Sequence, residues 1–222
     1  MEAYELDKIK EILENKTSVF IGQTGAGKST LLDKIKVLAT SFRGAIEIAK
    51  DAGEFDNDFA FPRFPKGCCG DTSDLLAEYL AQHDIYTYYV CGQKGTQSHA
   101  WLVLVNTVTV TTDNSDADRK YKSLISVYNE DNDVMLLRKY YNLKDSIIID
   151  ITGDQFTNQK CFLYYNIPVY VGFLDDFHKL FRVDQCSIHE PARLWDARCK
   201  SLYRAITKYI KWFAVWNEIF FN

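Results

Sequence analysis

The sequence predicts an α+β protein, with helices packed on an antiparallel sheet. Three observations carry that prediction. Long stretches with apolar residues at helical spacing open and close the chain, and short β-branched and aromatic runs fill its middle. The order of these runs lacks the regular strand–helix alternation that builds a parallel sheet.

Taken in order, residues 3–15 place Leu6, Ile9, Ile12 and Leu13 on one helical face. Thr17–Ile21 reads as a short buried strand entering a glycine-rich turn. From Lys28 to Ala52, residues Leu31, Leu32, Ile35, Leu38, Phe42, Ile46 and Ala49 repeat near helical spacing. They predict a long helix, with Gly44 as a point of interruption. A loop with Pro62 and Pro65 follows, then a helix over about 70–82 with Leu75, Leu76, Tyr79 and Leu80 on its inner face. Thr87–Cys91 and His99–Val105 read as strands separated by a turn over 92–97. Residues 106–145 mix a polar stretch with an apolar-periodic piece at 134–143. Ser146–Thr152 and Ile167–Phe173 read as further strands. The chain closes with one or two helices over 191–221, Pro191 suiting a first-turn position. These elements divide into an N-terminal helix and strand–loop–helix segment (1–40), a central core (41–185) and a C-terminal helical extension (186–222).

Hydrophobic residues are 47% of the 222 and charged residues 25%, a globular composition. A net charge of −4 argues against a general nucleic-acid binder, which needs a basic face. No apolar run is long enough to span a bilayer. The first residues lack the basic region and apolar core of a signal peptide, so a cytoplasmic location is expected. The six cysteines lack paired zinc-site spacing and are expected to be reduced thiols, with no metal implied.

Three local settings suit thiol catalysis. Gly67-Cys68-Cys69-Gly70-Asp71-Thr72-Ser73 leads into a helix, Ser98-His99-Ala100-Trp101 opens a strand, and Ile147-Ile148-Ile149-Asp150 closes another. A cysteine at a helix start is favoured as thiolate. A histidine can take its proton, and a carboxylate can orient the imidazole. Cys69 is preferred over Cys68 because it directly precedes the Gly-Asp-Thr-Ser cap, and Cys68 would then point into the preceding turn or the core. Free N–H groups at the helix start, with Gly70 allowing close backbone approach, would stabilise an oxyanion. Gln97 is the candidate for a second donor. Asp154, after Gly153, reads as a turn residue held in reserve for Asp150. His83, His178 and His189 read as surface or capping residues, and Asp175-Asp176 as a solvated turn.

A second motif competes. Gly22-Gln23-Thr24-Gly25-Ala26-Gly27-Lys28-Ser29 fits the Walker A pattern between an expected strand and helix. Gly22, Gly25 and Gly27 would expose N–H groups to phosphate, Lys28 would reach the terminal phosphates, and Ser29, with Thr30 beside it, would bind magnesium. Asp150-Ile151-Thr152-Gly153 formally fits a D-x-x-G switch, but no guanine-reading Asn-Lys-x-Asp sequence is present. Under this alternative the protein is a nucleotide-binding module taking Mg and GTP or ATP. Under the thiol reading it requires no cofactor.

Two resemblances attach to these motifs. Arg63–Ser73, Gln97–Trp101 and Ile148–Phe156 resemble the papain-like superfamily in its transglutaminase-like branch, which includes arylamine acetyltransferases and bacterial peptide-maturation peptidases. The likeness runs over roughly residues 40–180 and implies a papain-like core. It assigns Cys69, His99 and Asp150 to the family's nucleophile, base and orienting carboxylate. It also implies a cysteine-dependent hydrolase or acyltransferase acting on amide bonds of a peptide or protein substrate. About fifty residues separate His99 from Asp150, so residues 106–145 would form an insertion. Residues 16–33 resemble the phosphate loop of circularly permuted ribosome-assembly GTPases. A third possibility is an inactive interaction domain. The stripe Tyr203, Ile206, Ile210, Phe213 and Phe220, with Trp212 and Trp216 beside it, is expected as core, or else as a contact for a protein partner or a membrane surface.

Overall fold

A computed structural model describes residues 26–104, 147–188 and 196–221, with side chains over 31–104, 147–188 and 196–210. The expected N-terminal helix, the strand at 17–21 and most of the glycine-rich loop lie outside the described residues, as do residues 106–145. So do the side chains of Phe213, Phe220, Trp212 and Trp216.

The described chain mixes helices with an antiparallel sheet. Helix α1 (Ala26–Asp51) runs without a break through Gly44. Helix α2 (Cys69–Ala81) follows, then strands β1 (Tyr88–Lys94), β2 (Gln97–Leu104), β3 (Ile147–Asp150), β4 (Tyr170–Phe173) and β5 (Arg182–Ile188). Helix α3 (Ala197–Phe221) closes the order. Short 3-10 turns occur at Gly153–Phe156, Lys160–Phe162 and His178–Leu180. No helix among the described residues is long and apolar enough to cross a membrane.

The sheet runs β4-β3-β2-β1-β5, each neighbouring pair antiparallel. Leu102 stands opposite Ile149, so the strands bearing His99 and Asp150 are neighbours despite the residues between them. The expected 92–97 turn is shorter: β1 continues to Lys94, leaving Gly95 and Thr96 at the bend, with Gly95 at φ +62°. Gly92, read as a turn glycine, is a strand glycine. A Cβ there would lie 2.9 Å from Phe181 Cβ and 3.1 Å from Trp101 Cη2. Strand β5 has no sequence signal of its own, because Arg182-Val183-Asp184-Gln185-Cys186-Ser187 alternates poorly and its register shifts opposite Cys91 and Gly92.

Period-two alternation splits the sheet into two faces. Leu102, Ile147 and Ile149 join a cluster with Ile35, Phe42 and Ile46 of α1, Leu75 and Leu80 of α2, and Leu202 and Ile206 of α3. Phe42 stacks on Tyr79 at 5.2 Å between centroids. The stretch of α1 beyond residue 40 is therefore continuous with the part before it, and both pack in this core. The opposite face, unanticipated as a layer, is aromatic: Trp101, Val103 and Ile148 pack with Phe156, Phe162, Tyr165, Phe177 and Phe181. Its covering residues come from 3-10 turns and loops, whose irregular spacing shows no helical or strand period.

Candidate active site

The site begins where α2 begins. Gly67, at φ +73°, turns the chain, and the first helical bond is Thr72 N–H to Cys68 C=O at 2.9 Å. The N–H groups of Cys69, Gly70 and Asp71 precede that bond and point out of the helix start. Asp71 lies in the first turn, where its charge suits the helix dipole, and accepts from Arg198 Nη1 of α3 at 2.8 Å. The same guanidinium grips Asp58 at 2.6 and 3.1 Å, while Asp58 Oδ1 also accepts from Ala60 and Phe61 N–H. Burial pushes the Asp58 carboxyl up, but Arg198 and these N–H groups bring it down to about 2. One arginine thereby fixes the approach to Cys69.

The two adjacent cysteines differ sharply. Cys68 is buried in the helical-face core and donates to Pro65 C=O at 3.4 Å, and burial pushes its thiol up to about 12. Cys69 is also desolvated. Its thiol nonetheless sits below the ordinary value, because the His99 imidazole, the Ala100 N–H and the Gln155 side chain all favour the thiolate. The opening turn of α2 thus meets β2 at His99 and Ala100.

His99 belongs to the aromatic face and has no exposed surface. Rings of Trp101, Phe156, Phe177 and Phe181 surround it at centroid distances of 5.2–5.7 Å. Its Nε2 donates to Asp150 Oδ2 at 2.8 Å, which leaves Nδ1 toward Cys69 and within 3.0 Å of Gln155 Nε2. Burial alone would lower the imidazole, but the Asp150 carboxylate outweighs it and raises His99 to about 9. Asp150 is 2% exposed and lies far below the usual carboxylate range, since the two histidines beside it overcome its burial.

Asp150 is fully engaged. Oδ1 accepts from Thr152 N–H at 2.8 Å and from Thr152 Oγ1 at 3.2 Å, and Oδ2 takes His99 and, at 3.3 Å, His178 Nε2. Gly153 is explained by the same carboxylate. A Cβ on it would lie 2.7 Å from Asp150 Oδ2 and 2.6 Å from Tyr165 Cε1. The D-x-x-G spelling therefore reflects packing against Asp150, whose oxygens already serve the histidines. Arg43 of α1 pins the following loop: it donates to Ile151 C=O at 2.6 Å and Pro168 C=O at 2.9 Å, and pairs with both Asp154 oxygens at 2.8 and 2.9 Å. Asp154 is thus the loop's anchor to α1 and stands apart from the imidazole.

The structure brings Cys69, His99 and Asp150 together, with Gly70 next to the thiol; a Cβ on Gly70 would come within 3.2 Å of Tyr89 Oη. Gln97 is exposed at the hairpin bend, paired in register with Lys94, and the amide that reaches the imidazole belongs to Gln155. Two further expectations are corrected. His178, read as a surface residue, has no exposed surface and contacts Asp150. Asp175, read as a solvated turn, accepts from His178 N–H and lies 2.6 Å from its Nδ1. Neither had a usable signal in Asp175-Asp176-Phe177-His178-Lys179, since burial of a lone histidine depends on distant partners. Asp176 does remain exposed.

Among the described residues, one group has metal-ligand spacing: His99, Asp150 and His178 each offer an atom within 4.8 Å of the others. Those atoms are joined by the hydrogen bonds above, and a cation seated there would replace the N–H donors that Asp150 now accepts.

The sequence profile of the RsgA GTPase family matches residues 1–55, which include Gly22, Gly25, Gly27, Lys28, Ser29 and Thr30. The match supports the phosphate-loop resemblance of that segment and covers about a quarter of the chain. Of those residues, Gly27 to Thr30 lie in the first turns of α1. Comparison with curated proteins and with solved structures finds no match.

Proposed function

We propose that the protein is a cysteine-dependent hydrolase or acyltransferase acting on amide bonds, built on a papain-like, transglutaminase-like core. One observation carries the reading: a helix-start thiol faces an imidazole whose other nitrogen is 2.8 Å from a buried carboxylate. Cys69 Sγ attacks the carbonyl carbon, and the oxyanion is met by N–H groups at the start of α2. The C–N bond then breaks, and the departing amine leaves with a proton from His99. Water or a second amine next attacks the thioester, giving its proton to His99 and releasing the Cys69 thiolate. Asp150 holds the ring in the tautomer that presents Nδ1 to the thiol. The aromatic wall keeps bulk water from the His99–Asp150 pair and so strengthens it.

The test is chemical. Iodoacetamide at pH 6 is expected to modify Cys69 ahead of exposed Cys161, and His99→Ala is expected to abolish that preference. p-Nitrophenyl acetate should leave an acetyl group on Cys69, detected by mass spectrometry. Equal labelling of Cys69 and Cys161, unchanged in His99→Ala, sinks the proposal.

The RsgA-family match favours a second reading, a phosphate-binding segment at Gly22–Thr30. Mg·GTP or Mg·ATP would then raise the melting temperature, and Lys28→Ala would remove the rise. No shift at saturating nucleotide would end that reading.

A further inference from the structure

Beyond the triad, the buried histidine behind Asp150 has no part in the proposed steps. His178 lies in a 3-10 turn, Asp175 just before it, and both side-chain nitrogens face carboxylates: Nε2 to Asp150 Oδ2 at 3.3 Å and Nδ1 to Asp175 Oδ1 at 2.6 Å. An ionised carboxylate only accepts, so each of these contacts calls for an N–H on the ring. Asp175 is held in turn by His178 N–H at 2.9 Å and by Tyr165 O–H at 3.2 Å, and Tyr165 stacks on Phe177 at 3.8 Å. The rings facing His178 are those of Phe177 at 5.0 Å, Trp101 of β2 at 5.3 Å, Tyr170 of β4 at 5.4 Å, Tyr165 at 6.1 Å and His99 at 6.3 Å between centroids. A line of contacts therefore runs Asp175–His178–Asp150–His99–Cys69, all of it inside or at the edge of the aromatic layer.

We infer that His178 is a positioning residue for this thiol site, clamping Asp150 from behind so that its Oδ2 stays directed at His99. The inference rests on the proposed thiol chemistry. Oδ2 carries the orienting bond, and His178 adds a donor on that oxygen to the two that Thr152 places on Oδ1. Without His178, the carboxylate loses one of its restraints against rotation about χ2 away from the imidazole. A buried carboxylate that loses a donor also becomes harder to keep ionised. Asp175 completes the arrangement by fixing the ring that does the clamping, as an outer partner fixes a ligating histidine in metal sites.

The experiment compares His178→Phe, which fills the space without donors, with His178→Gln, which retains an N–H for Asp150. Asp175→Asn reaches the same line from its partly exposed end and is the variant to use if His178→Phe does not fold. The readouts are the pH–rate profile of Cys69 alkylation by iodoacetamide and the downfield imidazole N–H proton signal of the His99–Asp150 bond. In folded protein, His178→Phe is expected to slow alkylation at pH 7 by about tenfold or more and to shift the profile. It should also abolish the downfield signal. His178→Gln is expected to recover most of the rate, and Asp175→Asn to fall between. A wild-type rate, profile and proton signal in His178→Phe, or in Asp175→Asn where that variant stands in for it, would overturn the inference while leaving the thiol reading intact; a Gln variant as slow as Phe would do the same. If Cys69 of the unaltered protein reacts no faster than Cys161, the thiol reading fails, and this inference fails with it.

Discussion

The two faces of the sheet are built from the same strands and do different work. Leu102, Ile147 and Ile149 look toward helices, into a core whose members are mainly aliphatic, and the buried Ala100 shares the side of Leu102 on β2. His99, Trp101, Ile148 and Asp150 look the other way, into rings. The side chains of His99, Asp150 and His178 are buried on that second side. Charge can be buried there because each group has a partner and the partners form one connected set. The comparison teaches that strand parity alone can divide an aliphatic core from a buried polar set: one residue position separates a buried alanine from an imidazole.

Changes on the two faces should consequently part company. The largest effect belongs to Asp150→Asn, which offers N–H where His99 and His178 need an acceptor. Alkylation of Cys69 at pH 7 should fall on the order of 10²–10⁴-fold, measured by timed labelling and mass spectrometry. Phe42→Ala, on the helical face, should cost about 3–5 kcal/mol in denaturant unfolding yet leave the pH–rate profile of the thiol in place. If that profile moves, the two faces are not separable. Gly153→Ala straddles the division. The added methyl collides with Asp150 and Tyr165, so it should cost about 1–3 kcal/mol and slow alkylation as well.

A smaller effect follows from pH. His99 is raised from 6.5 to about 9, so its contribution to stability is complete below pH 6.5 and is lost as pH climbs through 9. Asp150 is depressed below 3.8, so its contribution is present above that value and disappears on acidification. Thermal melts across pH 6–10 should show the alkaline decline, and Asp150→Asn should flatten it. The smallest expected effect is that of Lys28→Ala on alkylation, which is none. A measurable change would tie the glycine-rich segment to the thiol site.

Much of this site was legible because its parts carry local signatures. Cys69 stands before a capping run, and Asp150 ends three isoleucines, so each could be read within a few residues. The choice of Cys69 over Cys68 also follows from local phase, since the first residue of a helix and the one before it point differently. What escaped the sequence depends on distant partners. His178 is buried by Trp101, Tyr165, Tyr170 and Phe177, none of which its immediate sequence specifies except Phe177. Gln155 could be found only once the loop after β3 was known to fold back over the imidazole, held by Arg43 from more than a hundred residues away. Gly92 and Gly153 both looked like turn glycines, because a close approach across space spells the same letter as a bend in the chain.

The pairing of β2 with β3 across residues 105–146 has a consequence for the life of the chain before it is folded. Cys69 leaves the ribosome long before Asp150, Gln155 and His178 exist, so the partners that hold His99 are absent when the helix start first forms. Until β3 pairs with β2, which costs chain entropy, His99 lacks the Asp150 carboxylate that orients it. Under the proposed thiol chemistry, full activation of the sulfur therefore waits for β2 and β3 to pair.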